Sequence, residues 1–256
     1  MIKRRVRFKK QLSGDDEIDE LFAAKMNAMV VKHSEEYYRT MIGTGTQNWN
    51  LRDLYMMQML EAIIKYLGRQ RGKPIKAIVW AHNSHVGDAR HTHKGELQKK
   101  WNIGQLARER FGMDKIYNVR FTTHTGSDRE TKNVNLSRTE TYEHLFHTVS
   151  EESSSLNFLL NFNYIEGEKK LPISQELINE LADKARLKER AIGVIYHPDT
   201  ELQSHYFYAK ISLQFDSIIY IDITNSLKSL PDKTEDELHR KTLGEKELPE
   251  TFLVEE

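Results

Sequence analysis

The first seventy residues carry a helical rhythm. From Ile18 to about Met41, apolar residues recur at Ile18, Leu21, Phe22, Met26, Met29, Val30 and Tyr37. A three-four spacing lays these side chains along one stripe and predicts a helix that buries it. Residues 44–50 have turn composition and end on Asn50, a residue type suited to capping a helix. A second helix is predicted over 51–67. Its apolar side carries Leu54, Met57, Leu60, Ile63, Ile64 and Leu67, and its solvated side carries Gln58, Glu61 and Lys65. Gly68, Gly72 and Pro74 close it. Met26, Met29 and Met57 read as core filler rather than as a binding surface.

After Pro74 the period shortens. Residues 76–81 form a continuous apolar run opened by a Gly/Pro turn, the pattern of a strand buried on both faces. Similar runs recur at 115–122, 156–161, 191–196 and 217–222, with helical patterns between them at 103–111, 139–149 and 174–189. Strands alternating with helices predict an α/β fold with a mainly parallel sheet, flanking helices and a helical N-terminal layer. The expected organisation is a helical region over 1–73, an α/β core over 74–230 and a charged tail over 231–256, the last a surface helix or disordered.

Composition narrows the function classes. Lysine plus arginine equals aspartate plus glutamate, 38 against 38, so there is no electrostatic case for nucleic acid or an anionic membrane as partner. A small-molecule substrate is the expected partner. The chain has no cysteine, which removes disulfides, thiolate metal sites and cysteine nucleophiles together. Residues 1–10 are basic, but residues 11–20 are polar and acidic where a secretion signal needs an apolar stretch. A cytoplasmic location is the expectation.

Chemistry concentrates just past the 76–81 run, in His82, Asn83, Ser84, His85, Val86, Gly87, Asp88, Ala89 and Arg90. Loops beyond strand ends hold ligands in α/β sheets because the strands fix side chains along one edge. Two histidines can move protons near neutral pH, an aspartate can fix a tautomer, and an asparagine or arginine can stabilise an oxyanion. His82 and His85 are therefore the candidate catalytic residues, with Asn83, Asp88 and Arg90 as candidate substrate contacts. His91 and His93 lie in a polar stretch and read as solvated loop. A metal reading through His82, His85 and Asp88 is the weaker alternative. Its histidines are spaced i, i+3 at a strand end, whereas the zinc-protease motif spaces them i, i+4 on a helix around a glutamate. No Gly-x-Ser-x-Gly elbow, dinucleotide fingerprint or phosphate-binding loop occurs, so neither a serine nucleophile nor a nucleotide cofactor has support, and no cofactor or metal is expected.

Residues 78–90 resemble the signature of the erythromycin esterase family. Further blocks match in order at 27–39, 49–53, 102–112 and 190–201, the last continuing through 204–207 and 214–216. The resemblance runs from about Ile18 to about Leu230. It implies an α/β core with a large helical portion and hydrolysis of carboxylic ester or lactone bonds by histidine-activated water. The family holds macrolide-resistance enzymes and relatives labelled succinoglycan biosynthesis proteins. His82 and His85 match the family's second pair of active-site histidines. The family also implies a longer protein whose N-terminal half carries a Glu-x-x-His base, and no such motif occurs in the first third here. The expectation is therefore an incomplete copy. It would work with a complementing N-terminal half, self-associate, or persist as a non-catalytic remnant that keeps one wall of the pocket.

The matching blocks add Arg52, His205 and Tyr206 as candidate substrate contacts. Arg52 and Asp53 open the second predicted helix, where a surface or dipole role stands beside a pocket role. For Ser204, His205 and Tyr206, strand-edge packing stands beside a place near the pocket.

Overall fold

A long helix opens the chain, as its apolar spacing predicts: α1, Gly14–Thr40. The computed structural model describes residues 14–41, 46–127, 133–162, 165–166, 169–170, 181, 187–193 and 195–227. The basic N-terminus, most of the 174–189 helix and the 231–256 tail lie outside these. Among the described residues no helix is long and apolar enough to cross a membrane. The described chain divides into two units, one running to Arg120 and including Lys210–Asp216, the other built from Phe121–Ala209 and from Ser217 onward.

In the first unit α1 pairs with α2, Gln47–Arg71. Phe22 stacks on Tyr66 with ring centroids 3.8 Å apart, and His33 stacks on Tyr55 at 3.7 Å. The hydroxyls of these tyrosines donate to Asp19 and Glu36 on α1. Met26, Tyr37 and Met57 are buried as predicted, but Ile18, Leu21 and Val30 of the predicted stripe stay exposed. Helix α2 begins at Gln47, three residues before Asn50, so Asn50 does not cap it. Its C-terminus is closed by Gly72 in the left-handed region at φ 61°, a conformation that costs glycine little.

The predicted strand at 76–81 is the main departure. Residues 74–82 form neither helix nor ladder among the described residues, and Ile78 is 95%, Trp80 85% and Val79 42% exposed. A run composed for burial on both faces needs a strand on each side, and no described strand pairs with it. Beyond it come three short helical pieces: α3 (Asn83–Val86), a 3-10 turn (Ala89–His91) and α4 (His93–Gln98). Helix α5, Ile103–Phe111, coincides with its predicted span. Met57 of α2 packs against Ile103 and Ala107 of α5, with Met56, Leu60, Leu106, Phe111 and Ile116 around them.

The second unit holds most of the strands. Strand β1 (Val119–Thr122) enters it, followed by β2 (Thr125–Ser127), β3 (Asn133–Val134), helix α6 (Tyr142–Ser153) and β4 (Asn157–Asn161). Next come β5 (Ile165–Glu166), β6 (Lys169–Lys170), β7 (Lys188–Arg190), β8 (Tyr206–Tyr208), β9 (Ser217–Ile221) and β10 (Ile223–Thr224). One sheet is ordered β1-β9-β4, another β10-β2-β3, and β5-β6 and β7-β8 form ribbons.

An α/β composition holds, but the mainly parallel sheet does not. β10 pairs parallel with β2, whereas β2-β3, β4-β9, β5-β6 and β7-β8 are antiparallel. Short connections return β3 beside β2 and β6 beside β5 in the opposite sense, whereas β4 and β9 lie far apart in the chain and their sense is set by the fold between them. The predicted strand at 191–196 also shifts: the charged Lys188–Arg190 forms the ladder instead. Arg190 is buried there against Glu143, Tyr206 and Glu201, a pairing that alternation of apolar residues cannot reveal.

Candidate active site

The site is assembled at the start of α2 and the loop between residues 82 and 102. A clasp of main-chain and side-chain bonds holds these together. Asn50 Nδ2 donates to the Lys99 carbonyl at 3.0 Å, and Asn50 Oδ1 accepts from the Trp101 amide at 3.0 Å. The indole N–H groups of Trp49 and Trp101 donate to the carbonyls of Trp101 and Asn50 at 2.9 and 3.0 Å. On the far side Asn102 caps α5, its Oδ1 accepting from the Gln105 amide at 3.0 Å. Its Nδ2 donates back to the Ser84 and Gly87 carbonyls at 2.7 and 2.6 Å. Gly104 lets α5 approach this close: a Cβ there would meet the Val86 carbonyl oxygen at 2.1 Å.

His85 sits at the centre. Its Nδ1 lies 2.9 and 3.0 Å from the two carboxylate oxygens of Asp53, which is fully buried and also accepts from the Ile103 amide at 2.9 Å. Its Nε2 lies 2.9 Å from Arg52 Nη2. A guanidinium only donates, so Nε2 must accept and the proton of the neutral ring sits on Nδ1, pointing at Asp53. Trp49 lies flat against the imidazole, with centroids 4.5 Å apart and planes 4° from parallel. The ring is therefore fixed in tautomer, tilt and position.

Beneath the loop lies a buried ion network. Asp88 accepts from Arg90 Nε and Nη2 at 2.9 and 2.6 Å and pairs with Arg108 at 3.3 Å. Arg108 bridges onward to Asp216 at 2.8 Å and to the Leu213 carbonyl at 2.8 Å. Burial alone would raise the Asp88 carboxyl, but the hydrogen bond and charge of Arg90, with His91 and Arg108, override it and hold the group below its ordinary value. Burial lowers His91, which keeps it neutral at pH 7.

Arg52, Asp53 and His85 are thus brought together. Asp88 and Arg90 are joined to each other, where they brace the loop. His82 caps α3, its Nδ1 accepting from the Ser84 amide at 3.2 Å, and stays exposed. Asn83 opens α3, half-buried. Both ring nitrogens of His85 and the Asp88 carboxylate are engaged by protein groups. Among the described residues no group of three such side chains is arranged to hold a metal.

His205 and Tyr206 belong to the second unit. His205 Nε2 accepts from the His197 amide at 2.9 Å, and burial lowers its ring below the ordinary value. Tyr206 accepts from Arg190 Nε at 2.6 Å, and burial pushes its hydroxyl up to about 12. This unit also holds a histidine cluster that no spacing in the sequence announces. His124 stacks on His147 at 3.6 Å, and His147 Nδ1 lies 2.7 Å from Asp222. Trp49, Arg108 and Asp216 were likewise not singled out. The matching blocks at 49–53, 102–112 and 214–216 were the available pointers, because each residue lies inside one.

The profile of the erythromycin esterase family matches residues 2–224. The chain belongs to the erythromycin esterase family. Among solved structures it is similar to a succinoglycan biosynthesis protein, with a TM-score of 0.50 and 18% identity over 84% of this chain and 52% of that one. A protein from Bacillus cereus gives a TM-score of 0.47 and 16% identity over 74% of this chain and 43% of that one. The erythromycin esterase EreC, solved as a mutant in its open conformation, gives 0.44 and 16% over 76% and 43%. This family member spans about half the length of the solved relatives it matches.

Proposed function

We propose that this chain is an esterase-like hydrolase of carboxylic ester or lactone bonds, with His85 as the base that activates water. The observation that carries the reading is the Asp53–His85–Arg52 line, with a buried carboxylate on Nδ1 and a guanidinium beside Nε2. Nε2 takes a proton from water as its oxygen bonds to the carbonyl carbon, and the carbonyl π pair moves onto oxygen. Arg52 donates to that oxyanion, and Asp53 stabilises the imidazolium. Collapse breaks the carbon–oxygen bond, and the departing alkoxide takes the proton back from Nε2. The products are an acid and an alcohol, or one hydroxy acid from a lactone. A positioned base of this kind supplies roughly 10²–10⁴ in rate.

The test is hydrolysis of a p-nitrophenyl ester and of a macrolide lactone by the full chain and by His85→Asn. A drop of at least ~100-fold in kcat/KM supports the reading, and unchanged hydrolysis by the variant overturns it. One observation favours a second reading. The exposed run at 76–81 and the exposed His82 fit a chain that supplies one wall of a site and turns over only with a complementing polypeptide. A folded chain inactive alone, gaining ester hydrolysis when that polypeptide is added, would support it.

A further inference from the structure

The nitrogen that must take up the proton is already occupied at rest. Arg52 Nη2 holds the Nε2 lone pair of His85 at 2.9 Å, so water cannot use it while that bond stands. The guanidinium is poorly matched where it sits. Its Nε is buried and has no hydrogen-bond partner, although a guanidinium presents five donors in a fixed fork. A second cation lies close by: Lys100 Nζ is 3.9 Å over the ring of Trp49, and the Arg52 guanidinium carbon is 4.9 Å from the same ring. The nearby anion, Asp53, is spent on His85 and the Ile103 amide.

We propose that Arg52 is a latch on the base, drawn off by a carboxylate or phosphate, so that the site takes esters bearing such an anion beside the scissile bond. Two oxygens of an anion offer the planar fork two charge-assisted N–H···O bonds in place of one N–H···N bond, and they give Nε the acceptor it lacks. Releasing Arg52 frees Nε2 while Asp53 keeps the ring proton on Nδ1, and a guanidinium N–H that the anion does not use is left for the oxyanion. The substrate class rests on the esterase reading, but the anion response does not.

The full chain labelled with ¹⁵N-histidine reads the latch directly through long-range ¹H–¹⁵N spectra. Adding acetate or inorganic phosphate should shift the His85 Nε2 resonance saturably, chloride at equal ionic strength should not, and the Nδ1–H tautomer should persist throughout. Arg52→Gln should abolish the response. Arg52→Lys, which keeps the charge but loses the fork, should weaken it at least tenfold and serves if the glutamine variant fails to fold. Among substrates, monoethyl succinate should exceed ethyl butyrate in kcat/KM by at least tenfold, with the preference lost in the variants. An Nε2 signal indifferent to both anions, or an equal response in Arg52→Gln, overturns the latch. An intact anion response without hydrolysis of either ester sinks the esterase reading and leaves the latch standing.

Discussion

Replacing Asp53 by asparagine reverses the hydrogen-bond logic of the site at one atom. The carboxylate is fully buried and accepts from His85 Nδ1 and from the Ile103 amide. Asparagine keeps Oδ1, which lies 2.9 Å from both the Ile103 amide and His85 Nδ1, but sets an amide NH₂ where Oδ2 stood 3.0 Å from Nδ1. The opposed donors disfavour the Nδ1–H tautomer and push the ring proton toward Nε2, where it meets the donor Arg52 Nη2. One charge-assisted bond is lost and one opposed donor pair is created, a cost of about 2–3 kcal/mol. Asp53→Ala removes every acceptor and strands two buried N–H groups, for about 3–5 kcal/mol. The alanine variant should therefore be the less stable in urea unfolding followed by tryptophan fluorescence. Histidine ¹⁵N spectra should show the Nε2–H tautomer in the asparagine variant, with ester hydrolysis reduced on the order of 10³-fold. An asparagine variant within about 0.5 kcal/mol of the parent, keeping Nδ1–H, would falsify the assignment of Asp53 as the group that orients His85.

Three other outcomes are expected. Gly104→Ala drives a methyl into the Val86 carbonyl, so the loop must move; the melting temperature should fall by several degrees with the His85 resonances displaced, and an unchanged spectrum would contradict the close approach. The bare run around Ile78 and Trp80 should make the chain self-associate and bind a hydrophobic dye; Ile78→Lys should lower both, and a monodisperse parent that binds no dye would refute this. His91, His124 and His205 are each lowered from 6.5, chiefly by burial. Folding then favours their neutral forms, so their stabilisation is complete above about pH 6.5 and is lost as pH falls through the lowered values. Melting temperature should decline from pH 7 to pH 5; a flat or rising profile would contradict the burial of these rings.

How much was legible in the chain differs from element to element. The span of α5 and the presence of α1 and α2 follow from the three-four apolar spacing, although α2 runs four residues past its predicted span at each end, with Gly72 closing it. The erythromycin esterase resemblance was readable because residues 78–90 and the blocks around 49–53 and 102–112 are contiguous words. The run at 76–81 was legible as composition and misleading as structure. Its apolar residues state what surroundings they suit, and strand pairing depends on a neighbour that local sequence does not name.

The sequence by itself determined the presence of α1, α2 and α5, the absence of cysteine chemistry and the segment in which His82 and His85 would be found. Tertiary structure decided which of these histidines is held between a buried carboxylate and a guanidinium. It set Asp53 on His85 Nδ1 across 32 residues, Arg52 on Nε2 across 33, and Arg108 between Asp88 and Asp216 across 108. It also replaced the expected parallel sheet with largely antiparallel pairing. Periodicity and capping are local properties that short stretches encode. The partner of a buried charge and the sense of a ladder are set by segments distant in the chain, and only the folded protein brings them within bonding distance.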